Sequence, residues 1–321
     1  MFRLFIFLLF KSINSPYNNI NEKSLSKFIA KKDLMQDLIS KKKFFHLWRK
    51  KLNTKIMNEK DNLKKIRIIK KKDGLILKVK TVHSFKISSK DKCIKSFEIL
   101  NYIFYIANFK IIDMAVNEYD SEKYKKMLFC GSCLSNPLKY SYNWQELISK
   151  IDIILNNYTH YLNKSTKADL YRKNKLYDRE QSISYAQKYA LKYNPKYTDF
   201  NDNGGDCTNF ISQCLHAGSL PLSKNWQPYT LPWIRVNELY YFLTRNKFAI
   251  EVPNLSLLNK GDIIQFFSNS KGFFAHSGII TDILANGEIF YSCHTYDKLN
   301  YPLSEIYPIL YTKLRLLKIT Y

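Results

Sequence analysis

The chain has 321 residues, 45% of them hydrophobic and 15% aromatic, and a formal net charge of +24. That much apolar material builds packed cores and excludes a disordered polyelectrolyte, and the length suits two domains of ordinary size. The charge is uneven: residues 1–170 carry 34 Lys and Arg against 15 Asp and Glu, whereas residues 171–321 carry 17 against 12.

A basic N-terminal half of this kind suits an anionic polymer or a membrane surface, or else reflects a Lys-, Asn- and Ile-rich background with no partner. No helix-turn-helix, zinc-finger or aromatic RNA-binding signature accompanies the lysines, so nucleic acid is not an expected partner. Six cysteines stand at 93, 130, 133, 207, 214 and 293. Only Cys130-Gly131-Ser132-Cys133 has metal or redox spacing, and without a second such pair it reads as two loop thiols.

The run Met1–Phe10 is apolar with one arginine. It is too short to span a bilayer, and it reads either as the core of a short export signal or as a segment docked on the fold. Apolar positions between 24 and 60 recur at three- and four-residue steps and predict two basic helices. Alternating runs around Asp73-Gly74 predict a hairpin with outward lysines. Residues 97–109, 124–129 and 144–161 read as apolar-aromatic helices. The polar stretch Asn163–Lys175 divides a basic α+β region, 1–165, from a second domain, 175–321. Nothing in the first region forms a catalytic constellation, and His46, His83 and His160 show no partners there.

The second domain opens with a helix capped by Asp178 and ended by Asn194-Pro195. Then comes Asn203-Gly204-Gly205-Asp206-Cys207-Thr208-Asn209-Phe210-Ile211-Ser212-Gln213-Cys214-Leu215-His216-Ala217-Gly218, a glycine turn feeding a helix that stops at Gly218. Cys207 in its first turn meets unpaired N–H groups and the positive end of the dipole, which predicts a thiolate at lower pH than in free cysteine. Gly204 and Gly205 leave the approach to the sulfur open. Asp206 reads as the cap of this helix, Cys214 as core and His216 as a C-terminal dipole residue. A buried inert thiol at 207 is the competing reading.

Pro232 starts a further helix, and strands follow: Ile263–Phe267 after Lys260-Gly261-Asp262, His276–Ile283, a return strand 288–296 after Asn286-Gly287, and a closing strand 311–319. Helices followed by an antiparallel sheet make an α+β domain. A cysteine nucleophile needs a base and a group that orients the base. His276 is the candidate base. In an ideal two-residue hairpin His276 faces Asp297 and His294 lies on the other face, while a bulge shifts the register, so both stay open as the third member.

Four ordered blocks carry a resemblance: YDREQSISYAQKYALKYNPKYTDF, GGDCTNFISQCLHAG, KGDIIQF, and HSGIITDI with HTYDKLNYPL. The chain from about 177 to 320 resembles the bacterial putative amidase domain family, related to papain-like cysteine peptidases and to CHAP domains that cut peptidoglycan. The resemblance implies a papain-like α+β fold, Cys207 as nucleophile, His276 as base, and a polar residue on the next strand as orienter, with His294 the best match and Asp297 in reserve. Asp206 and Gly205 flank the nucleophile in positioning or oxyanion roles. It also implies an amide substrate, such as a cell-wall peptide, with hydrolysis through a thioester or transfer to an amine; a wall-binding module with an idle cysteine is the non-enzymatic alternative. The chain has Ser219 where a second glycine is common. No phosphate-binding glycine loop or carboxylate cluster points to a nucleotide, a metal or another cofactor.

Overall fold

The computed structural model describes residues 2–15, 19–89, 92–118, 122–130, 142–163 and 176–321. Cys133, the second cysteine of the Cys130-Cys133 pair, and the polar stretch 164–175 lie outside the described residues. The chain divides into two compact units, Met1–Ile153 and Ile154–Tyr321, and its class is α+β.

The first unit begins with α1 (Phe2–Ile13), α2 (Glu22–Leu25) and α3 (Lys32–Lys51). The N-terminal run is thus a helix, and it buries Ile6, Leu9 and Phe10 against Leu77, Val79 and Phe104. No helix of the described residues is long and apolar enough to cross a membrane. Four antiparallel strands follow, β1 (Lys55–Lys71), β2 (Gly74–Ser89), β3 (Lys92–Ala107) and β4 (Lys110–Val116), and β3 pairs with both β2 and β4. Then come α4 (Glu122–Cys130), α5 (Trp144–Ser149) and α6 (Ile151–Asn163), the last straddling the division.

Two expectations fail here. Residues 97–109 are mostly strand, because Phe97, Ile99, Ile103 and Tyr105 share one face while Leu100, Tyr102 and Phe104 share the other. A run apolar on both sides carries no usable period. Residues 55–60, expected in a helix, begin β1. The hairpin is present one step earlier than its glycine suggests, since Lys71 pairs with Gly74 and leaves Lys72-Asp73 as the loop. His83 also has partners, with Nδ1 3.3 Å from Asp61 and Nε2 3.7 Å from Glu59.

The second unit opens on α7 (Arg179–Tyr189), where Asp178 accepts the N–H of Gln181 at 2.9 Å. Next come α8 (Cys207–Ala217), α9 (Leu231–Ile234), α10 (Val236–Arg245), β5 (Ala249–Glu251), β6 (Ile263–Ser268), β7 (Phe273–Ile283), β8 (Ile289–Cys293), β9 (Lys298–Pro302) and β10 (Leu314–Ile319). The strands run in the order β9-β8-β7-β6-β10-β5, with antiparallel neighbours. Phe210, Ile211, Cys214 and Leu215 of α8 pack on Ile263, Ile279, Leu317 and Ile319 beside Trp226 and Trp233. Each such fully buried side chain contributes about 1.5–3 kcal/mol, so α8 is anchored firmly against the middle of the sheet.

Local chemistry fixes its ends. At Gly218 an added Cβ would come 2.4 Å from the Tyr177 ring. The requirement there is space, since Gly218 has φ −80° and Ser219 takes the left-handed conformation at φ +70°. The Lys260-Gly261-Asp262 turn is a clasp: the buried Asp262 carboxylate accepts from the N–H groups of Asn259 and Ile319 and from Arg179, whose guanidinium also donates to the carbonyls of Lys260 and Ile319.

Candidate active site

Cys207 is the first residue of α8 and is 6% exposed. The turn before it needs glycine, with φ +100° at Gly204 and +109° at Gly205. A Cβ on Gly205 would lie 3.1 Å from Thr295 Oγ1. That hydroxyl accepts the Asp206 N–H at 2.6 Å and donates to Asn201 Oδ1 at 3.1 Å.

The sulfur sits where the sheet opens. Ile280 exchanges both backbone hydrogen bonds on the β6 side, donating to Asp262 and accepting from Gly261. Strand groups alternate with period two, so the N–H of Ser277 points to the β8 side. But β8 ends at Cys293, and the Ser277 N–H faces the Cys207 sulfur instead, where it favours the thiolate. The nucleophile candidate therefore lies against the peptide that joins His276 to Ser277. His276 is 4% exposed, with the rings of Phe266 and Tyr296 5.4 and 5.7 Å away.

Burial dominates the thiol and pushes it above its ordinary range, with Asp206 adding to the rise. Donation from Thr208, by side chain and backbone, and from Ser277 offsets this in part. The expected lowering by the helix end is outweighed, because a thiolate here would give up its hydration. Cys293, wholly buried, lies close enough that a charge on Cys207 would raise it further.

His294 departs from its expected role. The β7–β8 loop is longer than two residues, closed by Leu284 N–H to Glu288 O at 2.9 Å. A bulge between Ile280 and Asp282 then sets Ile279 opposite Ser292. Continued, that register would place residue 294 level with 277 and residue 295 level with 276. The strand stops before either, turning through Thr295 and Tyr296 at φ +55° and +76°.

His294 Nδ1 lies 2.6 Å from Asp206 Oδ2 and Nε2 lies 2.9 Å from the Tyr189 carbonyl. Both ring nitrogens are committed, so His294 does not orient residue 276. Its ring is sandwiched between Tyr193 and Phe210, with centroids 3.8 and 4.1 Å away. The ring is thus held at both edges, by a carboxylate at Nδ1 and by a carbonyl at Nε2.

Asp206 is likewise corrected. Its side chain makes no capping bond to α8. Oδ1 accepts from the Phe200 N–H at 3.0 Å and from Asn209 Nδ2 at 2.8 Å, and Oδ2 meets His294. Asp297, the reserve, accepts from Tyr193 at 2.6 Å. The groups that sequence reasoning missed are Tyr193, Thr295, Asn209 and the backbone of Tyr189 and Ser277. Only Asn209 left a signal, as a polar residue on the inner face of α8, where it also accepts from Trp233 Nε1 at 2.8 Å. Cys214 is core, as its spacing suggested. Among the described residues no group of three His, Cys, Asp or Glu side chains is placed to hold a metal ion.

Two curated relatives from Bacillus subtilis (strain 168) match part of the chain, both described as uncharacterized. YjcM is 33% identical over 131 residues and YhbB 32% identical over 134, each match covering 38% of this chain. The chain spans only 31% and 42% of those proteins' lengths. No solved structure matches the chain. Residues 176–314, from just before α7 to the first residue of β10, match the model of the putative amidase domain family.

Proposed function

We propose that the second unit is a cysteine amidase of papain-like type, with Cys207 as nucleophile and His276 as base. The observation that carries this is the place of the Cys207 sulfur, at the start of α8 and facing the Ser277 N–H, one residue from His276. Because burial holds the thiol protonated, activation is general-base catalysis during attack, with no standing thiolate.

The imidazole of His276 takes the thiol proton as sulfur bonds to the amide carbonyl carbon. The oxygen, now negative, is met by N–H groups at the start of α8. His276 returns the proton to the nitrogen as the C–N bond breaks, leaving a thioester and a free amine. Water, giving a proton to His276, then adds to the thioester, and the sulfur leaves with that proton. The resemblance to wall-cutting domains makes a peptidoglycan peptide the first substrate to try.

The test pairs two measurements. Iodoacetamide labelling of the native protein between pH 6 and 9 should modify Cys207 ahead of Cys214 and Cys293, and His276→Ala should slow it. Release of new amines from purified wall should vanish in Cys207→Ser. Uniform slow labelling with no effect of His276→Ala would remove the cysteine mechanism. Labelling without amine release from any wall type would remove the substrate alone.

A further inference from the structure

The register of the first unit sorts its charges by face. In β2, positions 78, 80 and 86 are separated by even steps, and the β2–β3 pairing has no register shift. Their side chains share one face. Across the ladders Lys78 pairs with Arg67, Lys80 with Lys65 and Lys86 with Lys95. Three like-charged pairs thus stand directly opposite one another, an arrangement that works against the sheet unless something else neutralises it. Lys60, paired with Ser84, and Lys55, paired with Ser88, extend the row.

Of these eight cations, Lys55, Lys60, Lys65, Arg67, Lys80 and Lys95 are exposed and Lys78 and Lys86 are half-buried. The acidic groups of the same strands lie on the other face, where His83 pairs with Asp61 and Glu98 and sits near Glu59. No carboxylate of the described residues of β1–β3 joins the basic row.

We infer that this face binds a linear phosphodiester polymer without bases, a polyol phosphate. The cations form a strip two to three strands wide and about 30 Å long, given about 3.3 Å per residue, and the right-handed twist winds it, which suits a flexible chain better than a flat bilayer. Among the described residues of β1–β3, the exposed part of the face offers one aromatic ring to stack a base, Phe97, and the Lys95 ammonium already sits 4.7 Å from its centroid. Tyr105, further along the same face, is buried.

The experiment titrates the full chain with fluorescently labelled poly(glycerol phosphate) at several salt concentrations. Parallel arms use a single-stranded DNA oligonucleotide of matched charge and phosphatidylglycerol vesicles. Binding of the polymer should weaken with salt at a log–log slope of about −5, taking about 0.7 per contacted phosphate. The quadruple variant Lys65→Gln, Arg67→Gln, Lys78→Gln, Lys80→Gln should lose at least about tenfold in affinity and keep its circular dichroism. A control removing the four charges of Lys23, Lys27, Lys31 and Lys32 should lose far less. Equal losses in the two variants would reduce the effect to net charge and overturn the assignment, as would tighter binding of the oligonucleotide or the vesicles.

Discussion

Replacing His294 by phenylalanine separates a residue that holds the site from one that performs chemistry. The variant keeps a flat ring between Tyr193 and Phe210 but removes both hydrogen bonds, to Asp206 at 2.6 Å and to the Tyr189 carbonyl at 2.9 Å. Stranding one member of a buried pair costs about 3–5 kcal/mol, and an unsatisfied buried carbonyl costs about 1–3 kcal/mol. Asp206 keeps two donors on Oδ1, which favours the lower end, so a loss of about 4 kcal/mol is expected. Asp206→Asn should cost only about 1 kcal/mol, because its amide can donate to Nδ1 while Nε2 still serves Tyr189.

The double variant should therefore be more stable than the sum of the single losses implies, by about 2 kcal/mol. Urea unfolding, followed through the near-ultraviolet signal of the packed Trp226–Trp233 pair, reads all four corners of the cycle. If His294→Phe stays within about 0.5 kcal/mol of the native protein yet abolishes amine release, the ring acts in the reaction and the reasoning fails.

Gly205→Ala should lower stability by about 1–3 kcal/mol, since its φ is +109° and the new methyl would press on Thr295; an unchanged Tm would refute this. Asp37 is pushed up to about 6, mainly by burial against the opposing pull of Lys41 and Lys123. A folded value above the unfolded one means that its stabilising contribution is present at low pH and lost as pH rises through 6. Asp37→Asn should then gain about 1 kcal/mol at pH 8 and less at pH 4, and a loss at pH 8 would contradict it. Burial raises the thiols of Cys207, Cys214 and Cys293. Their folded forms hold the proton more tightly, so stability should fall from about pH 8.5 upward, and a urea midpoint that is flat between pH 7 and 10 would argue against it.

What the sequence disclosed follows the range of the forces involved. The start of α8 was legible because two glycines, a helical apolar period and a stop at Gly218 are local signals. β7 and β10 were legible for the same reason. The fate of His294 was not, because it depends on a bulge at Ile280/Asp282 and on a strand that stops at Cys293, and both are settled by packing against α7 and α8. Asp206 illustrates the same limit. Its position before a helix suggests a cap, whereas its bonds reach Phe200, Asn209 and His294, residues whose proximity only the folded chain creates. In the first unit β3 was misread because apolar side chains fill both of its faces, leaving no alternation to detect. His83 seemed solitary because its partners, Asp61 and Glu59, lie across a strand pair.

The long outer strand β1 carries a further consequence. It stands at the end of the sheet order among the described residues, with seventeen residues and register shifts near Met57/Lys60 and Leu63/Lys65. A margin of that length would invite a neighbouring molecule to add a strand and begin an aggregate. Kinks and a fringe of ammonium groups discourage this, since two such margins brought together would repel. Neutralising the lysines should therefore be done at low protein concentration, because the same change that silences a ligand removes the guard against self-association.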